Sequence, residues 1–256
     1  MNLETHLRSR RSLGKSLLIP YVTGGLGEPW LQIVRAVAAA GADAVEIGIP
    51  FSDPIMDGKT IQEASQRALD LGATFSSIVA QAATLDIDIP IVVMSYYNPL
   101  HHAGHVRSAS MLADAGIDGA IIPDLPLDEI GPWADAADDA GVETVLLAAP
   151  TTPDDRLGRI CERSRGFVYG VSLMGVTGER AQLASQASVM GERLKAITDM
   201  PVLLGVGISN PEQAVAAAAS ADGVIVGSAL ISRLLRGEGP DEAFTFVESI
   251  RSALDA

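Results

Sequence analysis

The stretches 40-AGADAVEIG-48, 115-AGIDGAIIPD-124 and 140-AGVETVLLA-148 repeat one phrase: a helix-stopping glycine, a polar turn position, then a short apolar run. The same punctuation stands at Ala221-Asp222-Gly223. Repetition of this kind indicates βα units built to one plan. Working outward, eight short apolar runs recur: Leu17 to Val22, Ala44 to Ile49, Ile89 to Ser95, Gly119 to Asp124, Glu143 to Ala148, Gly166 to Ser172, Val202 to Val206 and Gly223 to Val226. A longer helical pattern follows each. Eight alternations favour a closed (β/α)8 TIM barrel over an open doubly wound sheet, and no Gly-x-Gly-x-x-Gly fingerprint follows the first run. The reading is therefore α/β, one barrel domain over 1–256. Met1 to Arg11 is expected to form an extra helix under the barrel. Two helices, Thr60 to Leu71 and Phe75 to Leu85, are expected in the long gap after strand 2, with a further helix after strand 8.

Composition agrees. The chain has 256 residues, 48% hydrophobic but only 4% aromatic, near the roughly 250 residues of a complete α/β barrel. An aliphatic core suits parallel strands buried on both faces. Lys and Arg number 18 against 32 Asp and Glu, a net charge of −14. Nucleic acid and anionic membranes would be repelled at long range, so neither is expected as a partner, and a phosphorylated ligand must be held by local dipoles. A single cysteine, Cys161, allows no internal disulfide and fits a reducing compartment. With no signal-peptide pattern at Met1 to Lys15 and no membrane-length apolar run, a cytoplasmic location is expected.

In a barrel of this kind chemistry sits at the C-terminal ends of the strands. Alternation along strand 2 puts Val45, Ile47 and Ile49 on one face and Ala44, Glu46 and Gly48 on the other, the barrel interior. A glutamate flanked by Ala and Gly there is poorly hydrated, which raises its pKa and prepares a general acid. The competing reading is a structural carboxylate bonded to nearby backbone. Pro50 to Gly58 follows, a stiff loop carrying Asp53, expected to form a turn, and Asp57, placed to meet a substrate opposite Glu46. Gly-rich segments end the later strands: Gly175-Val176-Thr177-Gly178, Gly205-Val206-Gly207 and Gly227-Ser228. Backbone N–H groups in such loops, with a helix N-terminus, commonly bind phosphate. The first of these segments sits in a long loop suited to a lid. None of the three lysines, Lys15, Lys59 and Lys195, ends a strand, so Schiff-base chemistry is not expected. His101, His102 and His105 read as loop histidines, with no metal site expected.

The run Val45-Glu46-Ile47-Gly48-Ile49-Pro50-Phe51-Ser52-Asp53-Pro54, continuing through Asp57-Gly58 and Thr60-Ile61-Gln62, resembles the tryptophan synthase α chain. Further matches along essentially the whole length are Tyr21-Val22-Thr23, Tyr96-Tyr97-Asn98-Pro99, Pro123-Asp124-Leu125-Pro126, Gly175 to Gly178, Gly205 to Ser209 and Gly227-Ser228-Ala229. The resemblance implies retro-aldol cleavage of indole-3-glycerol phosphate to indole and glyceraldehyde 3-phosphate with no cofactor in this chain. It implies proton transfer at Glu46 and acceptance of the ring N–H by Asp57. It places Tyr21, Tyr96, Ile121, Tyr169 and Val206 at the substrate ring, Thr177 on the lid, and Gly178, Gly207, Gly227 and Ser228 around the phosphate. It also implies docking to a PLP-dependent β chain in an α2β2 heterotetramer that receives the indole. A stand-alone indole-releasing lyase and a weakly active regulatory partner of the β chain are the alternatives. The chain departs from the family pattern at Thr23 to Glu28 and at Lys59, which stands where proline is common.

Overall fold

The structure, a computed structural model, describes residues 2–171 and 180–256, and side chains in these ranges except over 180–187. Eight parallel strands close a barrel in chain order: β1 (Leu17–Thr23), β2 (Val45–Gly48), β3 (Ile91–Met94), β4 (Gly119–Ile121), β5 (Glu143–Ala148), β6 (Val168–Val171), β7 (Val202–Gly205) and β8 (Gly223–Val226). Closure is made by β1 against β8, with Leu17 opposite Gly223 and Pro20 opposite Val226. The described helices are α1 (Leu3–Ser12), α2 (Trp30–Ala39), α3 (Lys59–Asp70), α4 (Phe75–Ala82), α5 (Tyr97–Ala103), α6 (His105–Asp114), α7 (Gly131–Ala140), α8 (Asp154–Arg163), α9 (Arg180–Ile197), α10 (Pro211–Ala218), α11 (Ser228–Leu235) and α12 (Pro240–Leu254). Among the described residues no helix is long and apolar enough to cross a membrane.

The expected extra helices are present: α1 before the barrel, α3 and α4 after β2, α11 and α12 after β8. Three residues depart from expectation. His101 and His102 lie within α5 and His105 opens α6, so these are helical residues, separated by Gly104 at φ 90°. Strand ends also differ. β4 stops at Ile121, because Pro123 has no N–H to continue the ladder and Asp124 turns to accept the Tyr97 N–H at 2.8 Å.

Alternation sorts the strands into two cores. Val45, Ile47, Ile91, Val93, Leu146, Val168, Val202 and Val224 face outward under the helices. Leu17, Ile19, Ala44, Val92, Ile121, Val145, Phe167, Tyr169, Leu203 and Ile225 fill the interior. The strand-2 phase therefore falls as its sequence indicates. Leu3 and Leu7 of α1 belong to the interior cluster and are fully buried, each contributing about 1.5–3 kcal/mol. Leu3 enters because Gly166 has no side chain: a Cβ there would lie 2.7 Å from Leu3 Cδ2.

The acids of the repeated phrase build the lower rim. Asp43, Asp118 and Asp222 each precede an even-numbered strand and clasp the strand before it. Their carboxylates accept the N–H of Leu18 (2.8 Å), Ile91 (3.0 Å) and Val202 (2.8 Å). Their own N–H groups donate to the carbonyls of the same three residues. Before β6 the place is taken by Arg165, whose N–H donates to the Thr144 carbonyl and whose guanidinium donates to the carbonyls at the end of α8 instead.

Candidate active site

At the opposite rim a cavity of about 280 Å³ opens between the strand ends. Its depth comes from close aromatic approach to glycine. A Cβ on Gly48 would fall on the Tyr21 ring, and one on Gly205 would fall on the Tyr169 ring. Tyr21 and Tyr169 thus reach over β2 and β7 and line the cavity, as do Glu46, Asp57, Gly207, Gly227 and Ser228.

Glu46 stands opposite Tyr21 in the β1–β2 register and is only 1% exposed. Neither carboxyl oxygen has a hydrogen-bond partner among the described residues, which removes the backbone-bonded structural role. Burial, reinforced by the charge of Asp57, pushes its pKa up to about 8. At neutral pH it carries a proton.

Asp57 is half-buried. Burial pushes its pKa up to about 6, and a hydrogen bond from the Tyr96 hydroxyl works against that rise. It is therefore mostly ionised at neutral pH. The loop around it is tied at both ends. Asp57 N–H donates to Pro54 O at 3.1 Å, and Gln62 Nε2 of α3 donates to Asp57 O at 2.8 Å. Asp53 forms the expected turn, accepting from Ser52 Oγ with its side chain and from Ile55 N with its carbonyl. Two carboxyls with pKa values driven apart thus share one cavity, the arrangement that separates acid from base.

The same cavity is lined by Gly207, Gly227 and Ser228. Ser228 opens α11, and no side chain caps that helix, so its first N–H groups face the space beside Gly207 and Gly227. Such a terminus favours an anion. No lysine or arginine is among the described lining residues. Lys59, first residue of α3, is exposed, with no ion pair among the described residues.

Three residues expected at the ring are not among the described lining residues of this cavity. Ile121 is fully buried in the interior layer, and Val206 packs on the outer core. Tyr96 stands at the N-cap position of α5, and its hydroxyl accepts the Met56 N–H of the Asp57 loop at 2.8 Å. The walls come instead from Met94, Leu147, Val171 and Ile225, near the tips of β3, β5, β6 and β8. Met94 and Ile225 were missed because strands apolar on both faces do not reveal their phase, whereas Glu143 on β5 and Tyr169 on β6 share the faces of Leu147 and Val171 and were the signal that could have found them. Thr177 and Gly178 lie outside the described residues. His101 and His105 form an aromatic group with Tyr97, whose Oη lies 2.9 Å from His105 Nε2 and whose ring stacks on that of His105. Cys161 is buried on α8.

Known proteins resemble this chain in sequence and fold over its whole length. The family model described as tryptophan synthase alpha chain matches residues 7–252. Among curated relatives, the tryptophan synthase alpha chain of Chloroflexus aggregans is 43% identical, covering 100% of this chain and 99% of its own length. That of Picosynechococcus is 40% identical with 99% of both covered. Among solved structures, a tryptophan synthase from Mycobacterium tuberculosis superposes with a TM-score of 0.92 at 36% identity, covering 99% of this chain and 98% of that one. The alpha subunit from Legionella pneumophila gives 0.90 at 30%, covering 100% and 99%. The repeated βα phrase, the two carboxyls in one cavity and these full-length likenesses agree that this chain belongs to the tryptophan synthase alpha chain family.

Proposed function

We propose that this chain is a lyase that cleaves indole-3-glycerol phosphate to indole and glyceraldehyde 3-phosphate, with Glu46 and Asp57 as its catalytic residues. The observation that carries the reading is a buried, protonated Glu46 facing the same cavity as an ionised Asp57. Cleavage breaks the bond between indole C3 and the glycerol side chain. C3 gains a proton, and the hydroxyl on the departing carbon loses one as it becomes the aldehyde. Glu46 supplies the first proton and takes up the second, so it ends as it began. As C3 is protonated, positive charge grows on the ring nitrogen. Asp57 accepts the ring N–H and stabilises that charge, more effectively in a dry cavity than in water.

Tyr21 and Tyr169 supply flat apolar surface for the indole. Gly207, Gly227 and Ser228, with Gly178, hold the phosphate through N–H groups, and Thr177 belongs to the closing lid. The neutral cradle suits a phosphate carried into a protein of net charge −14, because its attraction is local. No cofactor is required for these steps. The family works with a β chain, and we propose an α2β2 assembly in which a PLP-bearing β chain consumes the indole for tryptophan synthesis. Ile55, 77% exposed on the Asp57 loop, offers apolar surface to such a partner. A cytoplasmic location follows from that metabolic role.

The test is the steady-state rate of indole release from indole-3-glycerol phosphate by the purified chain, with and without a cognate β chain. A slow rate that rises strongly with β is expected. A fast rate indifferent to β indicates a stand-alone lyase, and no release in either condition overturns the lyase reading.

A further inference from the structure

A second cavity, of about 260 Å³, adjoins the first on the side of β4 and β5. Ile122, Leu125, Leu127, Leu146, Ala149 and Ile160 line it, from the loop after β4, the end of β5 with the turn beyond, and the buried face of α8. Met56, Pro123, Leu147 and Val171 line both cavities and form the partition between them. All four are apolar, and Met56 is an unbranched thioether on the Asp57 loop, 39% exposed, which adapts to what it meets. The polar residues of the second cavity have partners within the fold. Asp124 accepts the Tyr97 N–H at 2.8 Å, Thr152 Oγ1 accepts the Ala149 N–H at 3.1 Å, and Arg156 pairs with Asp128 at 2.7 Å. What the cavity offers a ligand is therefore apolar surface. An apolar cavity of about 150 Å³ takes up benzene, so this one has room for a halogen, a methyl group or a larger substituent.

The place of this cavity matches one part of the substrate. Indole C3 is met by Glu46, the ring N–H by Asp57 and the phosphate by Gly207, Gly227 and Ser228. Those residues stand on β2 and the loop after it, and just beyond β7 and β8. In a barrel closed in chain order, β4 and β5 lie opposite β8 and β1. With the five-membered ring and its glycerol arm held at β2, β7 and β8, the six-membered ring points towards Pro123 and Leu147 in the partition. Its atoms C5 and C6 are the farthest from C3 and the ring nitrogen, and they reach the partition first. We propose that the second cavity is a side pocket for apolar substituents at C5 or C6 of the indole, so that the substrates of this chain extend to ring-substituted indole-3-glycerol phosphates. The inference rests on the lyase reading above and deepens it. Substituents at C4 and C7, beside the reacting carbon and the N–H, point at the two carboxyls instead and are excluded.

The experiment measures kcat/KM of the full chain with a cognate β chain, read as release of glyceraldehyde 3-phosphate, for indole-3-glycerol phosphate and its 4-, 5-, 6- and 7-bromo derivatives. The parent is compared with Ala149→Phe. Ala149 is among the described lining residues of the second cavity and not of the first, so the added ring fills the side pocket and leaves the reacting groups in place. In the parent, the better of the 5- and 6-bromo substrates is expected within about tenfold of the unsubstituted one, and the 4- and 7-bromo substrates about 100-fold lower. Ala149→Phe should lower kcat/KM for the better bromo substrate about 10- to 200-fold, the range for a pocket that loses room for one small group. Cleavage of the unsubstituted substrate should stay within about threefold, which also reports that the variant is folded. Ala149→Leu, a smaller insertion, makes the same comparison should the phenylalanine variant not fold. Rejection of every bromo substrate by a parent that cleaves the unsubstituted one overturns the proposal alone. Equal cleavage of all four bromo substrates does so too, as does a 5- or 6-bromo rate indifferent to filling at Ala149. Failure to cleave even the unsubstituted substrate overturns the lyase reading and this proposal together.

Discussion

Two buried carboxylates at opposite rims of the barrel, Asp43 below and Glu46 above, sit three residues apart on the same strand segment and meet opposite treatment. Asp43, fully buried, accepts from Leu18 N at 2.8 Å, from Arg10 Nε at 2.6 Å and from Arg251 Nη1 at 3.2 Å. Glu46, equally buried, has neither a cation nor a hydrogen bond among the described residues. The lower rim satisfies its acids and becomes stable. The upper rim leaves its acid unsatisfied, and the price is a carboxyl that stays protonated near neutrality.

The largest effect that tests the contrast is on turnover. Glu46→Gln removes proton transfer while keeping shape, and indole release should fall about 10³-fold. The wild-type rate should follow a bell, falling below about pH 6 as Asp57 is protonated and above about pH 8 as Glu46 ionises. A variant that kept its rate would remove Glu46 from the mechanism. Next in size is Asp43→Ala, which leaves two guanidinium groups facing a buried gap. Denaturant titration should register a loss of about 3–5 kcal/mol, while each molecule still folded turns over normally.

The third effect has the opposite sign. Glu46 binds its proton more tightly folded than unfolded, so its contribution to stability falls as pH rises from the ordinary carboxyl range through about 8. Glu46→Gln, free of that cost, should be more stable than the parent by about 3 kcal/mol at pH 7, with the gap closing as pH drops towards about 4.5. Equal stability at both pH values would show that Glu46 is hydrated in solution. The smallest effect compares two lysines. Lys59 above has no ion pair among the described residues, and Lys59→Gln should change stability by less than about 0.5 kcal/mol. Lys195 below donates to both oxygens of Asp222, and Lys195→Gln should cost about 1 kcal/mol.

Legibility in the sequence follows the same division. The lower rim was readable because one acid recurs at one place in a repeated phrase, although its clasp on the preceding strand appears only once strands are neighbours. Glu46 and Asp57 were readable because polar residues interrupt apolar or proline-bound runs, and a polar residue sets the phase of a strand. Ile225 carries no such mark, since both faces of β8 are apolar, whereas Glu143 and Tyr169 set the phase of β5 and β6 and share the faces of Leu147 and Val171. The Tyr96 hydrogen bond was hidden for another reason. It joins Met56 to a residue 40 positions later, and only the pairing of β2 with β3 brings those loops together.

The plug of the barrel floor has a consequence for synthesis of the chain. α1 leaves the ribosome early, yet what holds it arrives late: Glu143 for the Glu4 N–H, Gly166 for the Leu3 side chain, Asp199 for Arg8. Its closing contacts span 139 and 191 positions. Contacts of such separation form slowly because a long loop must be closed before they repay it. Until β5 and β6 are made, Leu3 and Leu7 remain an uncovered apolar face on a nascent polypeptide, so the same two side chains that seal the finished barrel are its exposure to chaperones and to misassembly while it is being built.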